Sequence, residues 1–261
     1  MAFLSEPEPS RGRPLRLVKG VRRIVAPNAG AMTYHGTNTY LIEGERGALV
    51  LDPGPDDAAH VAAIVEAAGG AVEGILLSHH HRDHVSAAPA LKAATGAPVY
   101  AHPAAAGLGV AVDETLDEGD RIAGLEVLHT PGHAPDHLAF ARPDGVLFTG
   151  DHVMAWSQTS VLAPGGGDLT DYMASLKRLL ARGDSIHLSG HGPPLANPRG
   201  HMEDLLRERE AREVAVRKAL DDGAATLAEV LDTLYPRLDA HVRPLAERSI
   251  QPYLDRIAAA A

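Results

Sequence analysis

The sequence predicts an α/β fold followed by a small helical region, and three observations support this prediction. Short apolar runs typical of strands alternate with helical stretches between residues 20 and 200. Helices are the expected cover for the faces of sheets built from such buried runs. The strand pattern stops at the Pro- and Gly-rich segment 190–200, and only helical stretches follow it.

The order of the predicted elements follows from the apolar runs and from the turn residues between them. A turn at 43–47 joins the first two strands, and the glycines Gly69 and Gly70 end the first helix. Strands are predicted at 39–44, 48–54, 74–79, 98–102, 121–130, 137–143, 145–151 and 185–190. Helices are predicted at 58–70, 85–95, 169–182, 201–222, 226–235 and 244–260, with a helix or turn at 103–108.

Composition divides the 261 residues into three segments. Residues 1–14 are rich in Pro, Ser and Glu, and we expect them to form a flexible tail. Residues 15–200 are expected to form the main domain and residues 201–261 a helical appendage. A chain of this length can bury a substantial core.

The charge and residue usage of the chain exclude several classes of function. A formal net charge of −10 argues against a general affinity for nucleic acids or anionic membranes. Because the chain has no cysteine, it has no thiolate nucleophile and no thiolate metal ligand. It also has no apolar run of about 18 residues and no signal-like N-terminus, so we expect a cytoplasmic protein without a membrane partner.

Four histidines and an aspartate lie within residues 79–84, directly behind an apolar run. Three further strand-like runs also lead into a residue that can bind a metal, namely His133, Asp151 and His191. The carboxyl ends of strands are the edge at which α/β sheets usually build their sites. A solvated polar loop, the simplest alternative for 79–84, does not predict this recurrence.

The local spacing predicts two adjacent metal sites. Residues two apart in an extended segment point the same way, so His79 and His81 can bind one metal while Asp83 and His84 reach a second. The first metal is expected on His79, His81 and His133, and the second on Asp83, His84 and His191, with Asp151 bridging both. These nitrogen and oxygen donors suit Zn(II) and also admit Mn, Co or Fe(II). Two neighbours, Asp52 and His152, are expected to support ligands rather than bind metal.

These four motifs, in the order His79-x-His81-x-Asp83-His84, "TPGH", "TGD" and "SGHGP", resemble those of the metallo-β-lactamase superfamily over residues 20–200. The resemblance implies a four-layer αβ/βα sandwich with a dinuclear metal site at its upper edge. Within the superfamily, the segments 30–42 and 168–180 and the helical C-terminus are similar to the β-lactamase-like protein 2 group. Glyoxalase-II-like thioesterases are close relatives of that group.

Positions at which this chain differs from other members of the family limit the metals and the reactions that the resemblance implies. The main dizinc β-lactamases place a Cys on the second metal, which this chain cannot do. Related di-iron redox proteins carry Glu where His81 stands, so His81 favours zinc and hydrolysis. No hairpin pattern follows the third C-terminal helix, so the appendage resembles a truncated winged helix.

The sequence therefore predicts a hydrolase with two Zn(II) ions that acts on an ester, thioester, lactone or similar acyl substrate of small or medium size. Two metals lower the pKa of bound water to roughly 7, and the hydroxide that bridges them is the expected nucleophile. Asp83 is the expected catalytic residue, because its carboxylate can orient that hydroxide and take its proton. Thr37, Asn38 and Trp156 are expected to line the substrate site, the first two by resemblance only, and packing in the core is the alternative role for Trp156.

Two other hypotheses remain at this stage. The resemblance to the β-lactamase-like protein 2 group implies cleavage of single-stranded RNA, but residues 201–261 carry nine Arg or Lys against twelve Asp or Glu, a net charge of −3. A protein surface that binds nucleic acid is normally basic. The other hypothesis is a non-catalytic binding protein that is stabilised by metal and uses its C-terminal helices to contact a partner or to form a homodimer.

Overall fold

The computed structural model describes residues 2–260 and contains two β-sheets with helices against their outer faces. The strands are β1 (Leu15–Val18), β2 (Val21–Val25), β3 (Asn38–Glu43), β4 (Ala48–Leu51), β5 (Val72–Leu76), β6 (Val99–Ala101), β7 (Glu114–Thr115), β8 (Arg121–Ile122), β9 (Leu125–His129), β10 (Leu138–Ala141), β11 (Val146–Gly150), β12 (Ile186–Ser189) and β13 (Leu195–Ala196). The helices are α1 (Ala58–Ala67), α2 (Arg82–Val85), α3 (Ala88–Thr95), α4 (Pro103–Gly107), α5 (Leu169–Arg182), α6 (Arg199–Asp221), α7 (Leu227–Leu234) and α8 (Arg243–Ala259).

Each sheet is built from one half of the main domain, residues 15–115 for the first sheet and residues 121–196 for the second. The first sheet has seven strands in the order β1 to β7, and the second has six strands in the order β13-β12-β11-β10-β9-β8. The pairs β4·β5, β5·β6 and β11·β12 are parallel. Because their strands run the same way, β4, β5 and β6 end at one edge of the first sheet, and β11 and β12 end at one edge of the second.

Three apolar layers hold the sandwich together. The layer between the sheets contains Tyr40, Leu76, Phe140 and Phe148, all at most 2% exposed. A second layer packs α1 and α3 against the outer face of the first sheet, and a third packs α5 to α8 against the second. This arrangement confirms the predicted four-layer αβ/βα sandwich.

Local sequence signals explain where the helices start and stop. Asp168 caps α5 by accepting a hydrogen bond from the Asp171 backbone N–H, and Gly183 ends the helix in a left-handed conformation with φ 77°. The buried residues Tyr172, Leu176 and Leu179 recur at helical spacing on one face of α5. The observed bounds of α5 are the predicted ones, 169–182.

The C-terminal helices share the core of the second sheet. Buried side chains of α6, α7 and α8, including Val216, Leu231 and Ile250, belong to the same apolar cluster as Leu147 on β11. From residue 197 to residue 260 the structure contains helices and turns but no strand. Within the described residues, no helix combines the length and the apolar character needed to cross a membrane.

The structure differs from the sequence expectations at several elements, and the short strands β7 and β13 were not predicted. Strands β1 and β2 were not expected, because Arg22 and Arg23 interrupt the apolar pattern of β2. The helix expected over 85–95 is divided into α2 and α3, since Pro89 near the start of α3 has no backbone N–H to continue α2. The strand expected over 121–130 turns back at residues 123–124, both with positive φ, and becomes β8 and β9.

Several contacts attach the N-terminal segment to the main domain. The Leu4 backbone N–H donates to the Ala155 carbonyl at 2.9 Å. The Glu6 carboxylate pairs with the buried guanidinium of Arg23, also at 2.9 Å. These contacts are more than a freely moving tail makes, although no helix or strand covers residues 2–9. The proposed segment boundaries at residues 14 and 200 stay predictions.

Candidate metal centre

The seven predicted ligands lie together where the two sheets meet. His79 to His84 follow β5 of the first sheet, whereas His133, Asp151 and His191 follow β9, β11 and β12 of the second. Five of the seven are buried, and His81 and Asp83 are half-buried. Two neighbouring cavities of about 210 Å³ each open onto this ligand cluster.

The first histidine trio converges on one point. The Nδ1 atom of His81 lies 2.9 Å from His79 Nε2 and 3.0 Å from His133 Nε2. Three nitrogens bound tetrahedrally to one Zn(II) at its usual bond length lie about 3.3 Å apart. The trio therefore needs to spread by only a few tenths of an ångström to hold such an ion.

The second trio combines one carboxylate with two imidazoles. Asp83 Oδ2 lies 3.2 Å from His191 Nε2 and 3.5 Å from His84 Nε2. The His84 Nε2 atom is buried and has no hydrogen-bond partner among the described residues. A buried polar atom without a partner is costly, and a bound cation would satisfy this one.

Asp151 lies between the two trios. Its Oδ2 atom is 3.7 Å from His133 Nε2 in the first trio. The same atom is 3.6 Å from His84 Nε2 and 3.5 Å from His191 Nε2 in the second. One carboxylate thus contacts both trios, which is the position required of a bridging ligand.

The electrostatics of the first trio favour neutral imidazoles. Burial, with the neighbouring imidazole of His84, holds the pKa of His79 well below its usual value. Burial and His133 lower the pKa of His81 to about 4. Burial also lowers the pKa of His133. At neutral pH these rings therefore keep free lone pairs, the form that binds metal ions.

The carboxylates of the cluster are ionised. Burial raises the pKa of Asp151, but the imidazoles of His191 and His84 outweigh it and hold that pKa well below its usual value. Burial opposes the same effect at Asp83, where His84 lowers the pKa to about 2. Burial lowers the pKa of His84 and His191, but the neighbouring carboxylates outweigh it, raising the pKa of His84 well above its usual value and that of His191 to about 9. A divalent cation bound at the second trio would therefore displace a proton from each of these rings.

Asp52 supports one ligand in each trio. Its carboxylate accepts hydrogen bonds from the Ser78 backbone N–H and hydroxyl, both at 2.7 Å, and contacts His84 Nδ1 at 2.9 Å. The Ser78 hydroxyl in turn contacts His79 Nδ1 at 2.9 Å. Asp52 itself has a left-handed backbone with φ 53°, an uncommon conformation that aims its side chain at both partners. Its predicted supporting role agrees with these contacts.

The remaining ligands are held by backbone groups and by one histidine that the sequence analysis did not single out. The Ser160 carbonyl contacts His133 Nδ1 at 2.7 Å, and the Gly36 carbonyl contacts His191 Nδ1 at 3.3 Å. His137 Nε2 accepts the Asp151 backbone N–H at 3.1 Å. The expectation that His152 fills this role was wrong: neither of its ring nitrogens has a hydrogen-bond partner among the described residues, and its ring packs on Tyr172.

Two of the three residues expected to line the substrate site do not reach it. Thr37 and Asn38 are fully buried. The Thr37 hydroxyl donates to the Asp83 carbonyl at 2.9 Å, and the Asn38 amide donates to the Ser189 and Gly192 carbonyls. These side chains position the ligand loops, so the expectation of substrate contact is corrected for both.

Trp156 lies beside the ligand cluster, and its contact with substrate stays a prediction. It lines one of the two cavities together with His133 and Asp151. Its indole ring is 5.1 Å from the Tyr34 ring, and its Nε1 atom is buried without a hydrogen-bond partner among the described residues.

Gly190 is a further requirement of the site. A Cβ atom at this position would lie 2.4 Å from Asp151 Oδ1 and 2.7 Å from His84 Cε1. Both distances are far below van der Waals contact, so any side chain here would displace two ligands. The motif before His191 therefore needs glycine for close approach.

Comparison with known proteins identifies the family. The family model described as the metallo-β-lactamase superfamily matches residues 32–112 and 105–191. The chain belongs to the metallo-β-lactamase superfamily. It is a hydrolase of this superfamily, whose members depend on metal, and the ligand cluster described above lies within or at the end of the matched residues.

Relatives of known name extend this similarity to most of the chain. A β-lactamase-like protein 2 homologue from Drosophila melanogaster is 28% identical over 93% of this chain and 89% of its own length. An atrochrysone carboxyl ACP thioesterase from Aspergillus fumigatus is 29% identical over 91% of this chain and 79% of its own length.

Solved structures agree with the fold. A metallo-β-lactamase family protein from Thermus thermophilus is 25% identical, covers 94% of this chain and 95% of its own, and has a TM-score of 0.76. A second structure, determined in a di-iron-bound form, is 34% identical over 66% of this chain and 94% of its own, with a TM-score of 0.56.

Proposed function

We propose that this superfamily member is a two-zinc hydrolase that cleaves an ester, thioester or similar acyl bond. The observation that carries the proposal is the position of Asp151, whose Oδ2 lies within 3.7 Å of imidazoles from both trios. A purely structural zinc site needs four ligands around one ion and no bridging carboxylate. Seven converging donors are therefore more than a structural role requires.

The residues fit the metals. His79, His81 and His133 would hold one ion, Asp83, His84 and His191 the other, and Asp151 both. The chain offers only nitrogen and oxygen donors at this cluster, which suits Zn(II), while the relative with bound di-iron shows why iron must be measured as well. When bound, the two ions would supply an ionised water at neutral pH and polarise the substrate carbonyl.

The protein groups have separate tasks. Asp83 is ionised, its side chain is 31% exposed, and it faces the cavity beside Asp151, so we assign it the orientation of the attacking water and the acceptance of its proton. Trp156 and the loop over residues 157–160 wall the cavity and limit the access of bulk water.

An acyl substrate fits the surroundings of the cluster better than RNA does. The thioesterase from Aspergillus fumigatus is similar over nine-tenths of the chain. The appendage beside the cavities carries a net charge of −3, whereas a groove for a polyanion needs an excess of Arg and Lys. The acyl class is therefore the one we propose.

Elemental analysis of untagged protein, paired with a substrate panel, tests this function. The panel contains an activated ester, a glutathione thioester, a β-lactam and a single-stranded RNA. We expect about two zinc ions per chain and turnover of the ester or thioester. Asp151→Ala should abolish turnover, and Asp144→Ala, which removes an exposed carboxylate paired with Arg142, should not.

Other outcomes would contradict the proposal in recognisable ways. Degradation of RNA that is lost in Asp151→Ala, with the acyl substrates untouched, would favour the endoribonuclease hypothesis. Less than one metal per chain and no turnover of any substrate would favour a binding protein. Two irons in place of zinc would overturn the metal assignment but leave the ligand set in place.

A further inference from the structure

A separate cavity lies between the C-terminal helices and the loop over residues 157–162. Its volume is about 370 Å³, at the lower end of the range for small-molecule sites. Helices α6 and α8 contribute to its walls, and residues 235–242 between α7 and α8 close one side. We refer to it as the appendage cavity.

The appendage cavity borders the ligand cluster. Ser160 and Leu162 line both this cavity and the cavity that contains His81, His133 and Asp151. The Ser160 carbonyl also contacts the Nδ1 atom of His133 at 2.7 Å. The two cavities therefore adjoin at Ser160 and Leu162.

The walls of the cavity combine aliphatic and polar residues. Aliphatic surface comes from Val161, Leu162, Leu238, Leu245 and Ile250. The charged residues of the wall, Glu208, Arg209 and Arg212, all lie on α6, and the Arg209 guanidinium is held by the Thr159 carbonyl and Tyr253. The aliphatic part of the wall suits an apolar guest.

We propose that the appendage cavity binds an apolar acyl group of medium length, whose thioester or ester carbonyl lies at the ligand cluster. This inference rests on the proposed function and adds to it the part of the substrate that is selected. Burial of each added methylene is favourable, so the length of the acyl chain should control the specificity constant. The C-terminal helices would then limit the length of the acyl chain that the cavity accepts.

A series of acyl thioesters of one thiol, N-acetylcysteamine, tests the inference on the full metal-loaded protein. We expect kcat/KM to rise at least about 30-fold from acetyl to octanoyl, because of the added apolar contact, and to fall again for palmitoyl, which exceeds the cavity. Equal values along the series would overturn the inference while leaving the hydrolase intact.

A substitution that fills the appendage cavity tests whether the dependence on acyl length arises there. Ala246 on α8 lines the cavity, and Ala246→Phe should lower the octanoyl-to-acetyl ratio of kcat/KM about tenfold. The matched control is Val214→Phe on α6, where the side chain is 66% exposed and lies outside the cavity; its ratio should not change. An unchanged ratio in Ala246→Phe would overturn the inference.

Two further measurements guard against misfolding and against failure of the proposed function. Leu245→Ala widens the cavity at a side chain that is 45% exposed, and should raise the palmitoyl-to-octanoyl ratio. Calorimetric titration with 1-octanol, which needs no turnover, should show binding to wild type that is weaker in Ala246→Phe. If no ester or thioester is cleaved, the proposed function fails and this inference fails with it.

Discussion

Asp52 does not face the candidate metals, yet it holds two of their ligands. Its carboxylate contacts His84 directly and reaches His79 through the Ser78 hydroxyl. In Asp52→Asn an amide replaces one carboxylate oxygen and weakens this support. We expect zinc affinity to fall about 10- to 100-fold. Competition with a chromogenic chelator measures it, and Asp56→Asn on the same loop, where the side chain is exposed, is the control.

His187 on β12 is a buried histidine with no ligand role. Neither of its ring nitrogens has a hydrogen-bond partner among the described residues. His187→Leu should therefore raise the free energy of unfolding by about 1 kcal/mol at pH 7. Urea denaturation measures this change, with the exposed His241→Leu as the control.

The same substitution should change the pH dependence of stability. Burial, followed by His201, lowers the pKa of His187 to about 3. Below the ordinary pKa of about 6.5 the unfolded chain binds a proton that the folded protein does not, so wild type loses stability as the pH falls towards 3. The advantage of His187→Leu should widen by about 1.4 kcal/mol per pH unit in that window. A constant difference between pH 7 and pH 5 would contradict the prediction.

At the residue scale, the sequence predicted the seven clustered side chains and one support, Asp52, but not the other supports. The cluster was visible because four residues are adjacent in the chain and the others end strand-like runs. Ser78, His137 and Gly190 were not singled out, because their roles depend on partners far away in sequence. The contact of Ser78 with Asp52, for example, spans 26 residues.

Helix α6 holds the loop that carries the Ser160 carbonyl. The buried guanidinium of Arg209 donates to the Thr159 carbonyl, and the Thr159 hydroxyl donates to the Asp151 carbonyl at 2.8 Å. Arg209→Met leaves the Thr159 carbonyl without this donor, so we expect a loss of about 2 kcal/mol in the free energy of unfolding. Hydrogen exchange of residues 157–162 should become faster.

The exposed arginine of the same helix provides the comparison. Arg207 pairs with Asp204 at the surface, and Arg207→Met should change stability by less than about 0.5 kcal/mol. If both variants behave alike, Arg209 does not hold the loop.

At the element scale, helices were predicted more accurately than strands. A capping residue and a terminal glycine mark the ends of α5 in the sequence itself. Strand β2 contains Arg23, and a charged residue is rarely fully buried, so the sequence offers no reason to expect a buried strand there. Only the fold reveals that Arg23 is 1% exposed and paired with Glu6.

The whole molecule has one continuous core on the side of the second sheet. Leu231 of α7 is fully buried in the same cluster as Leu147 of β11. Leu231→Ala should lower the free energy of unfolding by about 3 kcal/mol, and it should shift circular dichroism and Trp156 fluorescence together. Trp156 is the only tryptophan and lies outside the appendage, so it reports on the main domain.

Val214→Ala, at an exposed position of α6, is the control and should leave both curves in place. A fluorescence curve that does not move in Leu231→Ala would show that the appendage unfolds independently. The sequence predicted the three C-terminal helices but not their packing, because the apolar face of a helix does not indicate which surface of the protein it packs against. A homodimer through these helices stays a prediction.

The candidate ligands follow strands of both sheets, so a bound metal would join the two halves of the sandwich. A ligand that binds only the folded state adds about 2.7 kcal/mol of stability at a free concentration 100 times its Kd. Removal of metal by a chelator should therefore lower the melting temperature, and zinc should restore it, except in His84→Ala. In a cell, the amount of intact protein would then follow the supply of metal, so that abundance itself records the metal status of its surroundings.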